Sequence, residues 1–102
     1  MAEAEELENL LKGQGQAFQK LFEQRILFLR GPLEDDMCDK LVAQLLALDA
    51  DSDEDITLYV NSPGGIITGM FAIYDTIHLL RSKVNTRCIG LAASAAAFLL
   101  AT

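Results

Sequence analysis

Two short segments of this chain hold residue types that could perform chemistry. The first is Ser62-Pro63-Gly64-Gly65. Adjacent glycines let a backbone approach a ligand closely and turn its amides outward. Paired outward amides can stabilise a developing oxyanion. The same residues also suit an ordinary tight turn leading into a helix. The second segment is Gly90-Leu91-Ala92-Ala93-Ser94-Ala95-Ala96. A lone serine between a strand and a helix places its hydroxyl beside helix N-terminal amides, where negative charge is stabilised. Its small neighbours leave room for a substrate. The chemistry would be nucleophilic attack; the alternative role is that of a helix-capping serine. The segment is not a G-x-S-x-G elbow, because Ala92 and Ala96 stand at the glycine positions. A serine nucleophile also needs a general base. The only histidine, His78, lies mid-helix between Ile77 and Leu79, away from the strand ends. It reads as a surface or half-buried residue without a catalytic role.

The elements that must position these segments follow from hydrophobic spacing. Residues 3–12 read as a short acidic helix carrying Leu7, Leu10 and Leu11, broken by Gly13 and Gly15. Residues 16–24 resume helical spacing with Phe18, Leu21 and Phe22. The apolar run 25–30 is a strand ended by Gly31-Pro32. Its continuity suits a strand covered on both faces. Residues 34–48 form the clearest helix, with Met37, Leu41, Val42, Leu45 and Leu46 inward and Glu34, Asp35 and Asp36 in the first turn. Residues 49–55 read as an acidic loop. Residues 56–60 are a second strand rich in β-branched and aromatic residues. A helix over 68–82 turns Met70, Ile73, Tyr74, Ile77 and Leu80 inward, residues 84–90 form a third strand, and a last helix begins at or just after Ser94. Strands alternating with helices imply an α/β fold with a parallel sheet and right-handed crossovers. Both candidate segments then fall at the carboxyl ends of strands, where open α/β sheets build their sites.

Composition narrows the function classes. The 102 residues suit one small domain or a piece of a larger one. Hydrophobic residues at 51% and charged residues at 23% exclude a disordered or collagen-like chain. Eight basic against fifteen acidic residues give a net charge of −7, which repels phosphate backbones and argues against a nucleic-acid partner. The acids cluster in residues 1–55, so the second half reads as buried. Cys38 and Cys88 are too far apart in sequence for a C-x-x-C motif, and read as two free, buried thiols in a reducing compartment. With one histidine they make no metal site. The acidic run 49–55 lacks the central glycine and terminal glutamate of a calcium loop. The acidic start is unlike a signal peptide, and the apolar stretch from Cys88 to Ala101 falls short of the roughly 20 residues of a membrane span. The expected location is the cytoplasm, with no cofactor, no metal and no membrane association.

Four motifs, taken together, carry a resemblance. Arg25-Ile26-Leu27-Phe28-Leu29-Arg30-Gly31, Leu58-Tyr59-Val60-Asn61-Ser62-Pro63-Gly64-Gly65, Ile73-Tyr74-Asp75-Thr76 and Gly90-Leu91-Ala92-Ala93-Ser94 occur in order. They resemble the proteolytic-subunit family of the ATP-dependent Clp proteases, ClpP. The likeness covers residues 17–102, leaving 1–16 as an acidic N-terminal extension. It implies the crotonase/ClpP-like fold, cut off after the nucleophile helix begins. It further implies a serine endopeptidase in which Ser94 is the nucleophile and the amides of Gly65 and Ala95 form the oxyanion hole. The family's catalytic histidine and aspartate lie beyond the serine and are absent from this chain, so the fragment is expected to be inactive alone. Implied partners are peptides or unfolded proteins, other ClpP subunits in heptameric rings, and a Clp ATPase. Leu91 departs from the glutamine more often found there. Two other readings remain: a non-catalytic structural subunit of a Clp ring, and an acyl-CoA enzyme of the crotonase superfamily, which would use paired amides without needing the serine.

Overall fold

A computed structural model of the chain describes residues 15–101. The expected helix over 3–12, and all but the last two residues of the acidic extension, lie outside the described residues. Residues 15–23 form helix α1. There follow β1 (Ile26–Arg30), α2 (Asp35–Asp51), β2 (Ile56–Ser62), α3 (Ile67–Leu79), β3 (Val84–Ala92) and α4 (Ala95–Ala101). The three strands make a parallel sheet in the order β1-β2-β3. The alternation read from sequence is therefore the alternation observed.

Register explains the layering. Leu27 pairs with Leu58 and Leu29 with Val60, so one sheet face is a continuous apolar surface. It is sealed by Cys38, Leu41, Leu45 and Leu48 of α2, Met70 and Ile73 of α3, and Ala96 and Leu99 of α4. The opposite face is only partly covered. There Phe28 stacks on Tyr59 at 5.6 Å, and Phe18 of α1 meets Phe28 edge-on at 5.6 Å. Phe18, Phe28, Tyr59 and Ile89 border a cleft of about 330 Å³ on this side. Thus β1 is buried fully on one face and half-buried on the other, not covered equally on both.

Three expectations are corrected by long-range contacts. Helix α2 runs on to Asp51, three residues past the expected end, and Leu46 is exposed while Cys38 and Leu48 turn inward. The cause is Arg25. Its backbone sits in the left-handed region (φ 65°) and its guanidinium is buried. It donates to the carbonyls of Leu48 at 2.9 Å, Ser52 at 3.0 Å, Glu54 at 2.8 Å and Asp55 at 3.3 Å, and to Ser82 Oγ at 2.9 Å. A cation thus meets the negative end of the helix, sharing the Leu48 carbonyl with the Ser52 N–H and binding three carbonyls of the loop that follows. The second correction is that α3 closes at Leu79 and not at Ser82. Ser82 belongs instead to the Arg25 cluster, where its N–H and hydroxyl also donate to Asp49 Oδ1 at 2.9 and 3.0 Å. Third, the second half is not uniformly buried. β3 is one of the sheet's two edges among the described residues, and Arg87 through Leu91 are exposed. Cys38 is buried, but Cys88 is exposed, so only one thiol is hidden. No helix of the described residues is long and apolar enough to cross a membrane.

Candidate active site

The loop after β2 is built by its own serine. Ser62 is fully buried, and its Oγ accepts the Gly64 N–H at 3.1 Å. Such a hydroxyl-to-backbone turn bends the chain within two residues. Gly64 occupies φ +100°, a conformation that L side chains rarely adopt. The loop is then anchored to the segment after β1: Leu33 N–H donates to Gly64 O at 2.9 Å, and Ile66 N–H donates to Leu33 O at 3.0 Å. These bonds make Leu33 and Gly65 a parallel bridge pair. Along extended backbone, successive peptide groups face opposite edges. The groups flanking Gly65 face Leu33, so the N–H of Gly65 itself faces the other way, toward the β3 side. It has no hydrogen-bond partner among the described residues.

The chain after β3 arrives at the same place. Ala93 N–H donates to Ser62 O at 3.2 Å, tying the two strand ends together. Ser94 follows at φ 55°, one of two non-glycine residues with positive φ among the described residues. A capping serine has extended backbone and accepts an amide from the first helical turn. Ser94 has neither property. Its hydroxyl makes no hydrogen bond among the described residues, and the residue is exposed. Left-handed backbone at a non-glycine residue costs on the order of 1–2 kcal/mol, and such strain clusters at functional sites. Ala95 opens α4, and its N–H is also unpartnered, as the first amides of any helix are.

Gly64 and Ser94 are in direct apposition. A Cβ added at Gly64 would lie 2.9 Å from Ser94 Cβ, 2.9 Å from Ala93 O and 3.3 Å from Ala95 N. The structure therefore brings Ser94, Ala95 and the diglycine bend together, as the spacing of the two segments required. It does not bring His78 to them. That ring is exposed on the last turn of α3, 4.4 Å from the Tyr74 ring, which in turn lies 5.3 Å from Phe98. The aromatic cleft on the open sheet face is bordered by neither Ser94, Ala95 nor the two glycines, and reaches this neighbourhood only at Asn61 and Ile89.

Sequence reasoning passed over two contributors. Ser62 and Asn61 were visible only as members of a motif, yet both brace the site. Asn61 Oδ1 accepts the Leu91 N–H at 3.1 Å, across the irregularity where β2 and β3 lose register. The signal was present in the residue types, since Asn and Ser beside glycine favour side-chain-to-backbone turns.

The sequence pattern of the Clp protease family matches residues 12–102. Among curated relatives, the ATP-dependent Clp protease proteolytic subunit of Carsonella ruddii is 49% identical over 84 residues, 82% of this chain and 43% of that protein. ATP-dependent Clp protease proteolytic subunit 1 of Cutibacterium acnes is 53% identical over 85 residues, covering 82% and 39%. The crystal structure of the ClpP protease catalytic domain from Plasmodium falciparum superposes with a TM-score of 0.80 at 38% identity, over 81% of this chain and 48% of that one. The chain spans under half the length of each.

Proposed function

Because the chain belongs to the Clp protease family and has its α/β fold, we propose that it supplies the nucleophile and oxyanion hole of a serine endopeptidase subunit. The observation that carries this reading is Ser94: exposed, left-handed, uncapped, and held against Gly64 with two unpartnered amides beside it. In this reaction the Ser94 hydroxyl oxygen bonds to the peptide carbonyl carbon while its proton passes to a general base. The oxyanion that forms is met by the N–H groups of Gly65 and Ala95. Each such donor stabilises the transition state by on the order of 3 kcal/mol. The tetrahedral species then expels the amine, which takes the base's proton, and leaves an ester on Ser94. Water resolves the ester by the reverse sequence.

The chain's one histidine does not serve as that base, because His78 contacts Tyr74 and not Ser94. The reading therefore takes histidine and an orienting carboxylate from polypeptide outside these 102 residues, and the 102-residue chain alone is expected to hydrolyse nothing. Residues 1–16 stand as an acidic extension before a ClpP-like domain. The exposed apolar side chains of β3, Ile89 and Leu91, suit burial by further polypeptide or by neighbouring subunits. A cytoplasmic ring of like subunits, receiving unfolded chains from a Clp ATPase, is the assembly that fits the family. The acyl-CoA reading has no use for the strained serine, and a purely structural subunit would not need it.

The test is made on the assembled peptidase that contains this chain. A fluorophosphonate should modify Ser94, and Ser94→Ala should abolish both modification and turnover of a fluorogenic peptide. Turnover that survives Ser94→Ala would discard the reading.

A further inference from the structure

β2 and β3 do not keep step at their carboxyl ends. Val60 pairs with Cys88 and Ser62 with Ala92, so one residue of β2 (Asn61) faces three of β3 (Ile89, Gly90, Leu91). Extra residues in one strand leave backbone groups without ladder partners and bend the strand. Here the surplus is folded into a fixed bulge. Gly90 takes φ +99° and lies directly against the Asn61 side chain; a Cβ at that position would stand 2.7 Å from Asn61 Oδ1. The next amide, Leu91 N–H, which the ladder leaves unpaired, donates to that same Oδ1 at 3.1 Å. The Asn61 backbone holds the other side, its carbonyl accepting the Gly31 N–H at 2.9 Å. Its neighbour Ser62 meanwhile bends the diglycine loop through Oγ and receives Ala93 N–H on its carbonyl. Two consecutive residues of β2 thus fix both halves of the site: Ser62 the amide of Gly65, and Asn61 the path of β3 into Ser94.

We propose that Asn61 is a positioning residue for the nucleophile: its side-chain oxygen, by taking the Leu91 amide, sets the length and direction of the β3 bulge and so places Ser94 against the oxyanion amides. This rests on the reading of Ser94 as the nucleophile. Only a backbone amide is bound, so the side chain at position 91 is free to vary, which accommodates leucine there. Asn61 is exposed, and water can replace its oxygen at the Leu91 amide. The bond therefore acts on geometry more than on stability.

The experiment compares Asn61→Asp, which keeps an acceptor oxygen, with Asn61→Leu, which keeps the volume and removes it, in the assembled peptidase. Three readouts are taken: hydrogen exchange of the peptide spanning residues 89–93, the rate of Ser94 modification by a fluorophosphonate, and kcat and KM for a short peptide. Asn61→Leu should accelerate exchange and lower kcat and the modification rate by about 10- to 100-fold, as an ångström-scale misplacement does, with KM unchanged. Asn61→Asp should restore most of both, and the unfolding temperature should move little in either variant. Unchanged exchange in Asn61→Leu would show there is no latch. Faster exchange with wild-type modification and kcat would leave a structural bond with no positioning role. Wild-type protein that is never modified at Ser94 would remove the nucleophile reading itself, and this inference with it.

Discussion

Replacing Gly64 by alanine tests the apposition on which the site depends, and Gly31 provides an internal control. Both glycines have positive φ, +100° and +82°, so alanine at either imposes backbone strain of about 1–2 kcal/mol. They differ in what a methyl group would meet. At Gly31 nothing lies within 4 Å, whereas at Gly64 the added carbon falls 2.9 Å from both Ala93 O and Ser94 Cβ. Neither neighbour is a flexible side-chain end that can swing aside. Overpacking of this kind costs a further 1–3 kcal/mol or so. Gly31→Ala should therefore lose about 1–2 kcal/mol and Gly64→Ala about 2–5 kcal/mol. A difference of 1 kcal/mol corresponds to about 4–8 °C in a domain of about 60–100 residues and about 2–4 °C in one of about 150–250, so calorimetry resolves the gap. If the loop relieves the contact by moving, the turn at Ser94 moves with it, and a shift approaching 1 Å lowers reactivity by about 100-fold. The assay pairs thermal unfolding with fluorophosphonate modification of Ser94 in the assembled protein. Gly31→Ala should be modified at the wild-type rate and Gly64→Ala hardly at all. Equal stability and equal modification of the two variants would refute the close approach of Gly64 to Ser94.

Arg25→Met should destabilise by about 2–4 kcal/mol, because it removes the buried guanidinium's charge-assisted bonds to Leu48 O, Ser82 Oγ and the loop carbonyls, while the Ser52 N–H on Leu48 O and the Asp49 carboxylate on the Ser82 hydroxyl remain; Arg25→Lys should recover less than half of that by urea denaturation, since an ammonium lacks the guanidinium's fan of donors. The Asp49 carboxyl is held below its usual range, chiefly by the Ser82 backbone N–H, with the Ser82 hydroxyl and Arg81 also contributing. A depressed folded value contributes stability above the unfolded pKa of about 3.9 that is lost as pH falls through the folded one. Asp49→Asn should therefore be less stable than wild type at neutral pH, with the gap closing below about pH 4 in pH-dependent unfolding curves. An aromatic disulfide reagent should modify one thiol in the native chain, Cys88, and two after denaturation, since burial and the nearby carboxylates of Asp35 and Asp39 raise the Cys38 thiol; rapid modification of both in native protein would contradict the packing of Cys38 beneath α3.

What could be read from the sequence is divided by range. Period and composition are local, and they gave the order of strands and helices because each element declares itself within a few residues. α2 runs past residue 48 because the Leu48 carbonyl, and the Ser52 carbonyl just beyond the helix, are bound by Arg25, which is distant in sequence but stands at the same amino-terminal end of the sheet. No signal near residue 48 announces these bonds. Leu46 was assigned to the core because an apolar residue at helical spacing invites it, but the sulfur of Cys38 and the side chain of Leu48 define the buried stripe. Cys88, Ile89 and Leu91 were expected inside, since apolar runs usually are. Burial needs a covering layer; α4 reaches β3 at Thr86, but residues 87–91 stay exposed.

The site divides in the same way, and Ser94 decides what the division means. Its local sequence, a serine before an alanine-rich helix, specifies a cap as readily as a nucleophile, and a cap would be the lower-energy local choice. The structure holds it elsewhere. Ala93 is bound back to Ser62, Gly64 lies against the Ser94 side chain with no Cβ of its own, and the Gly90 bulge has set the approach of β3 before the turn begins. Each of these contacts joins β2 and its loop to β3 and its loop, and together they force the left-handed turn that leaves the hydroxyl exposed. Strain kept at a residue whose side chain packs no core and caps no helix has no structural return, whereas presenting an oxygen to a carbonyl carbon beside two unpartnered amides requires just that geometry. On the proposed reading, the nucleophile is thus specified less by the serine itself than by two residues of β2, Asn61 and Ser62, together with two glycines that permit the close approach.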